Sequence, residues 1–201
     1  TLTIIESFST VNSSIKCISL SRNFGHQNAL MAGMQYCSGE MIIIMDGDLQ
    51  HPPSLIPLMI QKLQEGYDLV QTKRISTQNI GTGKKILGSI FYWFINLISD
   101  IKIEANVADF KAFNRKVLES ILLFKERELF LRGLFSWIGF KSTIIDYEAP
   151  ARLNGKTKYS FTQMIKLALK GTTSFSFKPL RIALLVGSII SLAAFAFAIF
   201  A

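Results

Sequence analysis

Blocks of apolar residues, separated by polar and glycine-containing turns, give residues 15–72 a pattern of alternating strand and helix. The pattern predicts strand, helix, strand, helix and strand over residues 15–21, 26–37, 41–45, 55–65 and 67–72. The apolar run over residues 41–45 is continuous, as in a strand that is buried on both faces of a sheet. This order of elements is typical of a parallel α/β sheet.

Two apolar stretches later in the chain do not fit this alternation. Residues 86–98 are uncharged and include the aromatic residues from Phe91 to Phe94, but they are too short to span a bilayer. They predict either a core helix or an interfacial helix. Residues 161–169 are amphipathic, with Lys166 among apolar side chains and Lys170 directly after them, and we expect this stretch to lie in the headgroup plane.

An uncharged run rich in Ile, Leu, Ala and Phe occupies residues 182–201. At ~1.5 Å per residue, a helix of this length spans the ~30 Å hydrocarbon core, so a transmembrane helix is predicted, with a buried core helix as the alternative. Residues 149–181 contain seven Lys and Arg residues and no Asp or Glu, in a chain of net charge +8. By the positive-inside tendency, we expect the chain before Ile182 to be cytoplasmic.

Composition narrows the class of protein further. Hydrophobic residues make up 49% of the chain and charged residues 18%, which excludes a disordered tail, and the mean hydropathy of +0.33 is high for a soluble domain. A nucleic-acid-binding protein could carry the basic block, but the apolar run behind it favours a membrane surface, so no nucleic-acid partner is expected. The two cysteines lack the spacing of a disulfide framework or a zinc site, which indicates a reducing compartment.

Two carboxylates follow the predicted buried strand. Asp46 and Asp48 are two residues apart, so in an extended segment their side chains point the same way, and Gly47 leaves the backbone between them open. Together with Gln50, they can hold Mg²⁺ or Mn²⁺ against a diphosphate, at the end of the sheet where α/β proteins bind ligands. An ordinary Asp-Gly turn is the alternative interpretation.

Five ordered motifs carry a resemblance to a known family: residues 21–29 (SRNFGHQNA), 46–53 (DGDLQHPP), 66–70 (GYDLV), 109–117 (DFKAFNRKV) and 152–160 (RLNGKTKYS). They resemble the polyprenyl-phosphate glycosyltransferases of glycosyltransferase family 2, a group that includes dolichol-phosphate mannose synthase and bacterial undecaprenyl-phosphate glucosyltransferases. The resemblance covers about residues 15–181. It implies a GT-A type, Rossmann-like α/β fold with a mostly parallel sheet, a nucleotide-sugar donor, a divalent metal and inversion at the anomeric carbon.

The resemblance also assigns roles to carboxylates. Asp46, Asp48 and Gln50 become the metal and diphosphate site, and Asp48 is counted among the catalytic residues. Asp109 lies in an Asp-Phe motif near the transferred sugar, where it acts either as a base or as a group that orients the donor. The competing interpretation of Asp109 is the N-cap of a helix over residues 110–120.

Cations are expected to hold the phosphates of donor and acceptor, because arginine forks suit phosphate oxygens. Arg74 and Arg152 match family positions that face phosphates, and Lys156 and Lys158 assist from the loop that contains Arg152. Other polar residues receive structural interpretations: Lys84 and Lys85 in a solvated loop, and His26 and His51 without a third ligand for zinc. Arg127 and Arg132 are expected to face solvent or structural partners, although the matching segment of the family borders the acceptor.

Three segments organise the chain in this interpretation: a GT-A glycosyltransferase domain over residues 1–159, a juxtamembrane amphipathic and basic segment over residues 160–181, and a transmembrane helix over residues 182–201. Residues 1–14 do not match the strand, helix and acidic segment with which the family begins. We therefore expect the nucleotide-binding part to be missing and both ends of the chain to be cut. No residue is assigned to binding of the donor base, and activity is not expected of this segment alone.

The predicted activity is transfer of a hexose, with glucose from UDP-glucose favoured, to a polyprenyl phosphate at the cytoplasmic face of a bacterial inner membrane. Mannosyl transfer from GDP-mannose, transfer of a modified pentose such as formylated aminoarabinose, and a catalytically inactive membrane-surface module are the alternatives. The expected partners are the nucleotide sugar, the lipid acceptor and the membrane, and homo-oligomerisation is left open.

Overall fold

The computed structural model describes residues 2–75, 107–126, 130–148 and 177–200. Its helices are α1 (Leu2–Val11), α2 (His26–Gln35), α3 (Ile56–Gln64, after a 3-10 turn at Pro53–Leu55), α4 (Arg115–Leu122), α5 (Leu131–Trp137) and α6 (Lys178–Phe200). Its strands are β1 (Met41–Ile44), β2 (Leu69–Ile75), β3 (Val107–Asn114) and β4 (Ser142–Glu148). The helices predicted over residues 26–37 and 55–65 and the strands predicted over residues 41–45 and 67–72 are confirmed, with shifts at their ends.

The four described strands form one mixed sheet in the order β1-β3-β2-β4. β3 is antiparallel to both of its neighbours, whereas β2 and β4 are parallel. It follows that β1, β2 and β4 share one direction and that β3 opposes it. This corrects the expectation of a mostly parallel sheet. The helical connection from β1 to β2 predicts their common direction, but it does not reveal that a later strand, β3, lies between them.

Helices cover both faces of this sheet. On one face, α2, α4 and α5 pack against the strands through buried apolar side chains: Met31, Met34, Ile42, Ile44, Leu69, Phe113, Val117, Leu118, Ile121, Leu131, Leu134 and Phe135. On the other face, α3 packs Met59 and Leu63 against Val70, Phe110 and Ala112. Because neighbouring strand residues point to opposite faces, β3 contributes to both layers, and the three layers confirm the α/β class.

The junction of β3 and α4 explains why both elements stop and start where they do. Asn114 caps α4 by accepting a hydrogen bond from the backbone N–H of Val117 at 3.1 Å, and its Nδ2 donates to Asp68 at 2.7 Å. The next residue, Arg115, donates to the carbonyls of Cys37 and Gly39. These bonds close the end of the sheet opposite to the candidate site.

Two segments near the start of the chain differ from the sequence prediction, and two later segments cannot be compared with it. Residues 15–21 form no strand, since no described strand pairs with them, and Ile18 and Leu20 are 42% and 37% exposed. Helix α1, which the sequence pattern did not predict, buries none of its residues. The apolar stretches over residues 86–98 and 161–169 lie outside the described residues.

Helix α6 matches the predicted apolar run near the end of the chain. Its segment Leu180–Phe200 has 21 residues and a mean hydropathy of 2.6, and none of it is buried. Among the described helices it is the one that is long and apolar enough to cross a membrane. An exposed helix of this composition indicates membrane association, because water would otherwise cover a large apolar surface.

Candidate active site

The strand directions bring separate polar residues to one end of the sheet. Since β1, β2 and β4 end at the edge where β3 begins, residues after β1, at the end of β2 and at the start of β3 lie together. Ile44, the last residue of β1, pairs with Lys111 of β3, and Asp46 follows two residues later, near enough to Asp109 for the charge of Asp109 to act on it. Arg74, on β2, pairs with Tyr147 of β4 at the same end.

Two histidines contact the carboxylate of Asp46. His26 Nε2 lies 2.9 Å from Oδ1, and His51 Nε2 lies 3.9 Å from Oδ2. The hydrogen bond with His26 lowers the pKa of Asp46, and the same bond raises the pKa of His26. The negative charge of Asp109 acts on the pKa of both groups, which places the two carboxylates in one electrostatic environment.

A tight loop follows β1 and carries Asp48 and Gln50 next to Asp46. We call residues 46–51 the acidic loop. Asp48 Oδ1 accepts a hydrogen bond from the backbone N–H of Gln50 at 3.1 Å, the geometry of an Asx turn. The side chain of Asp48 is exposed, whereas Gln50 as a residue is only 8% exposed. The structure therefore makes the two carboxylates more accessible to a ligand than the amide of Gln50.

The donor set of this loop fits a magnesium or manganese ion. In residues 2–75 and the other described ranges, no group of three or more His, Cys, Asp or Glu side chains could hold a metal by itself. Mg²⁺ commonly takes one or two protein carboxylates and completes its shell with water and substrate phosphates. The oxygens of Asp46 and Asp48 suit this mode of binding, since both are hard donors on one short loop.

Asp109 forms a bidentate ion pair with Arg132, the second residue of α5. Arg132 Nε donates to Oδ1 at 2.9 Å, and a terminal guanidinium nitrogen donates to Oδ2 at 2.8 Å. The Asp109 side chain is 12% exposed. Burial alone would raise the pKa of Asp109, but the hydrogen bonds and positive charge of Arg132 outweigh burial and hold the pKa below its ordinary value.

The position of Asp109 in β3 shows that it does not cap a helix. It lies inside β3, and the N-cap of the following helix is Asn114, so the interpretation of Asp109 as a helix cap is wrong. The sequence spacing suggested a cap because a helix does follow, but the helix begins only at Arg115. Arg132, assigned from sequence to solvent or structural partners, instead contacts a candidate catalytic carboxylate.

A buried lysine lies behind this ion pair. Lys111 is 2% exposed, and its Nζ donates to Gln71 Oε1 at 3.2 Å and to the carbonyl of Ala108 at 3.1 Å. It also lies 5.5 Å from the ring centroid of Phe135. Burial lowers the pKa of Lys111 to about 8, although the charge of Asp109 opposes the decrease.

The predicted phosphate-binding cations divide between described and undescribed parts of the chain. Arg74 is exposed at the end of β2, and its charge acts on Tyr147, whose pKa is raised by burial. The charges of Asp46 and Asp48 act on the same tyrosine, so Arg74 and the acidic loop share its surroundings. The remaining cations predicted to hold phosphate lie outside the described residues: Arg152, Lys156 and Lys158.

Sequence reasoning missed four residues that shape the site. Arg132 contacts Asp109, Lys111 lies behind it, Tyr147 lies beside the acidic loop, and Gln27 Oε1 accepts from the backbone N–H of Leu131 at 3.0 Å. Lys111 gave one usable signal, since it is a lysine between the apolar residues Phe110 and Ala112 of the Asp-Phe motif. The other contacts join residues far apart in sequence, and no local pattern indicates them.

Comparison with known proteins adds independent information. The family model described as Glycosyl transferase family 2 matches residues 1–122. The match begins at residue 1, so residues 1–14 belong to the family domain although the sequence motifs gave them no counterpart.

Three curated relatives align with nearly the whole chain. The uncharacterized glycosyltransferase YkcC of Bacillus subtilis is 42% identical over 94% of this chain and 58% of its own length. A prophage bactoprenol glucosyl transferase homolog of Escherichia coli is 40% identical over 97% of this chain and 64% of its own length. The bactoprenol glucosyl transferase of Shigella phage SfV is 39% identical over 93% of this chain and 61% of its own length.

The chain thus spans about three fifths of the length of these relatives. The family model covers more than half of the 201 residues, from α1 to the end of α4. It includes the acidic loop after β1 and the Asp109 strand, which are the two centres of the candidate site. The chain belongs to glycosyltransferase family 2.

Proposed function

We propose that the full-length protein transfers glucose from UDP-glucose to a polyprenyl phosphate, with inversion at the anomeric carbon. The observation that carries this proposal is the 39–40% identity to proteins named bactoprenol glucosyl transferase or its homolog, over 93–97% of this chain. Bactoprenol is a polyprenol, so the names indicate both the sugar and the class of acceptor. The acidic residues that follow β1 and the strand that carries Asp109 both lie within the matched family region, which supports carrying this activity over.

Asp46 and Asp48 are proposed to hold Mg²⁺ or Mn²⁺ together with the donor diphosphate, with Gln50 lining the loop. When bound, the ion neutralises negative charge on the leaving diphosphate. The chain prepares this loop in advance: His26 holds Asp46 Oδ1 at 2.9 Å, and the backbone N–H of Gln50 holds Asp48 Oδ1 at 3.1 Å. Such preorganisation lowers the cost of ordering the loop around a ligand.

Asp109 is proposed to orient the donor sugar instead of acting as a base. Its pKa is held low by Arg132 against the effect of burial, and a carboxylate with a low pKa is a weak proton acceptor. A base is also not required, because the acceptor phosphate is already an anionic nucleophile. A fixed, ionised carboxylate can instead accept hydrogen bonds from sugar hydroxyls in one geometry.

Donor and acceptor are both anions, so cations are needed between them. Arg74, Arg152, Lys156 and Lys158 are proposed to supply this charge, with arginine forks matching phosphate oxygens in two places at once. Support for Arg74 comes from its place at the end of β2, where its charge acts on Tyr147 beside the acidic loop. The other three remain assignments from the motif over residues 152–160.

Helix α6 is proposed to anchor the protein in the membrane with the catalytic domain on the cytoplasmic side. The length and apolar composition of Leu180–Phe200 support a spanning helix, and the basic residues that precede it support the orientation. This arrangement keeps the domain near a lipid acceptor whose phosphate lies at headgroup height.

A donor screen tests the proposal. The full-length protein, in vesicles that contain undecaprenyl phosphate and Mg²⁺ or Mn²⁺, is given UDP-glucose, GDP-mannose or a UDP-activated formylated aminoarabinose, and the lipid product is weighed by mass spectrometry. We expect a hexosyl product from UDP-glucose alone. Product from another donor would change the assigned sugar, and no product from any donor would favour an inactive membrane-surface module.

Two matched variants complete this experiment. Asp48→Asn should lose most metal-dependent turnover without unfolding, since it removes one of two proposed ligand carboxylates. Asp146→Asn makes the same chemical change at an exposed position of β4 and should retain wild-type turnover. Wild-type rates for Asp48→Asn would overturn the metal assignment.

A further inference from the structure

His51 is buried directly beside Asp46 and contacts it at two points. The backbone N–H of Asp46 donates to His51 Nδ1 at 3.0 Å, and His51 Nε2 lies 3.9 Å from Asp46 Oδ2. His51 is only 7% exposed. Because a backbone N–H can only donate, Nδ1 of His51 is the acceptor in this hydrogen bond and carries no proton.

Aromatic neighbours on two strands fix the position of the His51 ring. It stacks on Phe110 with a centroid distance of 5.1 Å and an interplanar angle of 12°, and it meets the edge of Tyr147 at 6.2 Å and 75°. Phe110 follows Asp109 directly in β3. The ring therefore links the backbone of the acidic loop to the strand that carries the second candidate carboxylate.

The loop between Asp46 and His51 adopts a conformation that needs such support. Leu49 has a φ of 61°, in the left-handed region that residues with a Cβ rarely enter, and its side chain is 68% exposed. No burial of Leu49 offsets this unfavourable backbone conformation. The hydrogen bond from the Asp46 N–H to His51 joins the two ends of the loop, and the bond from the Gln50 N–H to Asp48 closes a turn inside it.

We propose that His51 is a positioning residue for the acidic loop: it fixes the backbone of Asp46, and thereby the direction of its carboxylate, through the acceptor at Nδ1. The inference deepens the proposed metal and diphosphate site and rests on that function for its catalytic consequence. Its structural part, the restraint on the Asp46 backbone, is independent of any metal.

Two substitutions separate the hydrogen bond from the packing of the ring. His51→Phe keeps an aromatic ring against Phe110 but removes the acceptor for the Asp46 N–H. His51→Asn loses the stacked ring but can place its amide oxygen where Nδ1 was, since both atoms are two bonds from Cβ. If His51 contributes only packing, His51→Phe should disturb the loop less than His51→Asn. If His51 positions Asp46, His51→Phe should release the Asp46 backbone more than His51→Asn does.

The first readout is hydrogen exchange of the Asp46 amide in the metal-free, full-length protein. Mass spectrometry with electron-transfer fragmentation assigns the exchange to this single residue. We expect exchange about tenfold faster than wild type in His51→Phe, because this variant loses the hydrogen bond to the Asp46 N–H. Exchange in His51→Asn should stay within about threefold of wild type, because the amide oxygen can accept that bond. The second readout is the Mn²⁺ concentration for half-maximal glucosyl transfer. It should rise about tenfold in His51→Phe and stay near wild type in His51→Asn.

Melting temperatures show whether each variant is folded when these readouts are taken. Wild-type exchange at Asp46 in folded His51→Phe overturns the inference, as does faster exchange in His51→Asn than in His51→Phe. If the wild-type protein transfers no sugar, the proposed function fails, but the exchange measurement still decides whether His51 restrains Asp46. Faster exchange in His51→Phe with an unchanged Mn²⁺ requirement would overturn the catalytic consequence alone.

Discussion

Arg132 and Asp109 are 23 residues apart in sequence and share two hydrogen bonds, one to each carboxylate oxygen. The pair joins α5 to β3 at the end of the sheet where the acidic loop of Asp46 also lies. A guanidinium fork fixes the plane of a carboxylate, which a single ammonium cannot do. The orientation of Asp109 therefore depends on a residue outside its own motif.

Replacing Arg132 by lysine is expected to lower turnover by about a hundredfold, since the positive charge persists but the carboxylate plane is released. The measurement is steady-state glucosyl transfer by the full-length protein, with melting temperature recorded in parallel. Arg115→Lys is the matched control. Arg115 donates to the carbonyls of Cys37 and Gly39, which lie away from the site. This variant should therefore have a lower melting temperature but wild-type turnover when it is folded. Equal turnover losses in both variants would contradict a specific role for Arg132.

The pH dependence of stability should reveal the same ion pair. In the wild type the pKa of Asp109 is lowered, so its contribution to stability is present above the ordinary value of 3.8 and is lost as the pH falls through the lowered value. Arg132→Gln removes the two charge-assisted hydrogen bonds and the nearest positive charge, so we expect burial, the largest influence on this carboxyl, to raise the pKa of Asp109 above its ordinary value. A raised carboxyl pKa favours the folded state at low pH, so the melting temperature of Arg132→Gln relative to wild type should increase as the pH falls from 7 to about 5. A constant difference across this range would contradict the prediction.

The lowered pKa of Lys111 predicts a second pH dependence of stability, at alkaline pH. Its pKa is lowered from 10.5 to about 8 by burial, so between these values the unfolded chain binds more protons than the folded protein. Stability should therefore rise with pH from about 8 toward 10 through this residue. Lys111→Met should remove that rise, measured as the difference in melting temperature from wild type at each pH. Lys116→Met, at an exposed position of α4, serves as the control and should keep the wild-type slope.

Arg152→Lys tests the proposed phosphate contact of the basic motif over residues 152–160. The charge is unchanged, so attraction to anionic lipids, worth ~1 kcal/mol per residue near the surface, should persist. A phosphate clamp requires the fork, so glucosyl transfer should fall while sedimentation with vesicles stays the same. Lys84→Arg, in a segment expected to be solvated, should change neither measurement. Unchanged transfer by Arg152→Lys would show that this residue only attracts the membrane.

The proposed membrane orientation rests on α6 and the cations before it, and protease accessibility tests it. Protease added to sealed inside-out vesicles should digest the catalytic domain, whereas right-side-out vesicles should protect it. A periplasmic and a cytoplasmic marker protein establish the sidedness of each preparation. Digestion only in right-side-out vesicles would reverse the proposed topology.

Local sequence patterns were sufficient for the elements that depend on neighbouring residues. Helices α2 and α3 are readable within one segment because burial on one face repeats with a fixed period. The continuous apolar run of β1 and the length and composition of α6 are also local features, and they need no information about a partner segment. The segment over residues 15–21 shows the limit of this reasoning. It has a strand-like composition, but a strand also needs a partner, and none of the described strands pairs with it.

By itself, the sequence determined the α/β class, the membrane-compatible helix and, through its motifs, the family and the candidate carboxylates Asp46, Asp48 and Asp109. Only the tertiary structure decided that β3 lies between β1 and β2 in the opposite direction, which brings Asp109 to the same end of the sheet as Asp46. It likewise decided that Arg132 clamps Asp109 and that His51 holds the Asp46 backbone. The physical reason is that periodicity records whether a side chain is buried, whereas its partner is fixed by strand order and packing between segments that are distant in sequence.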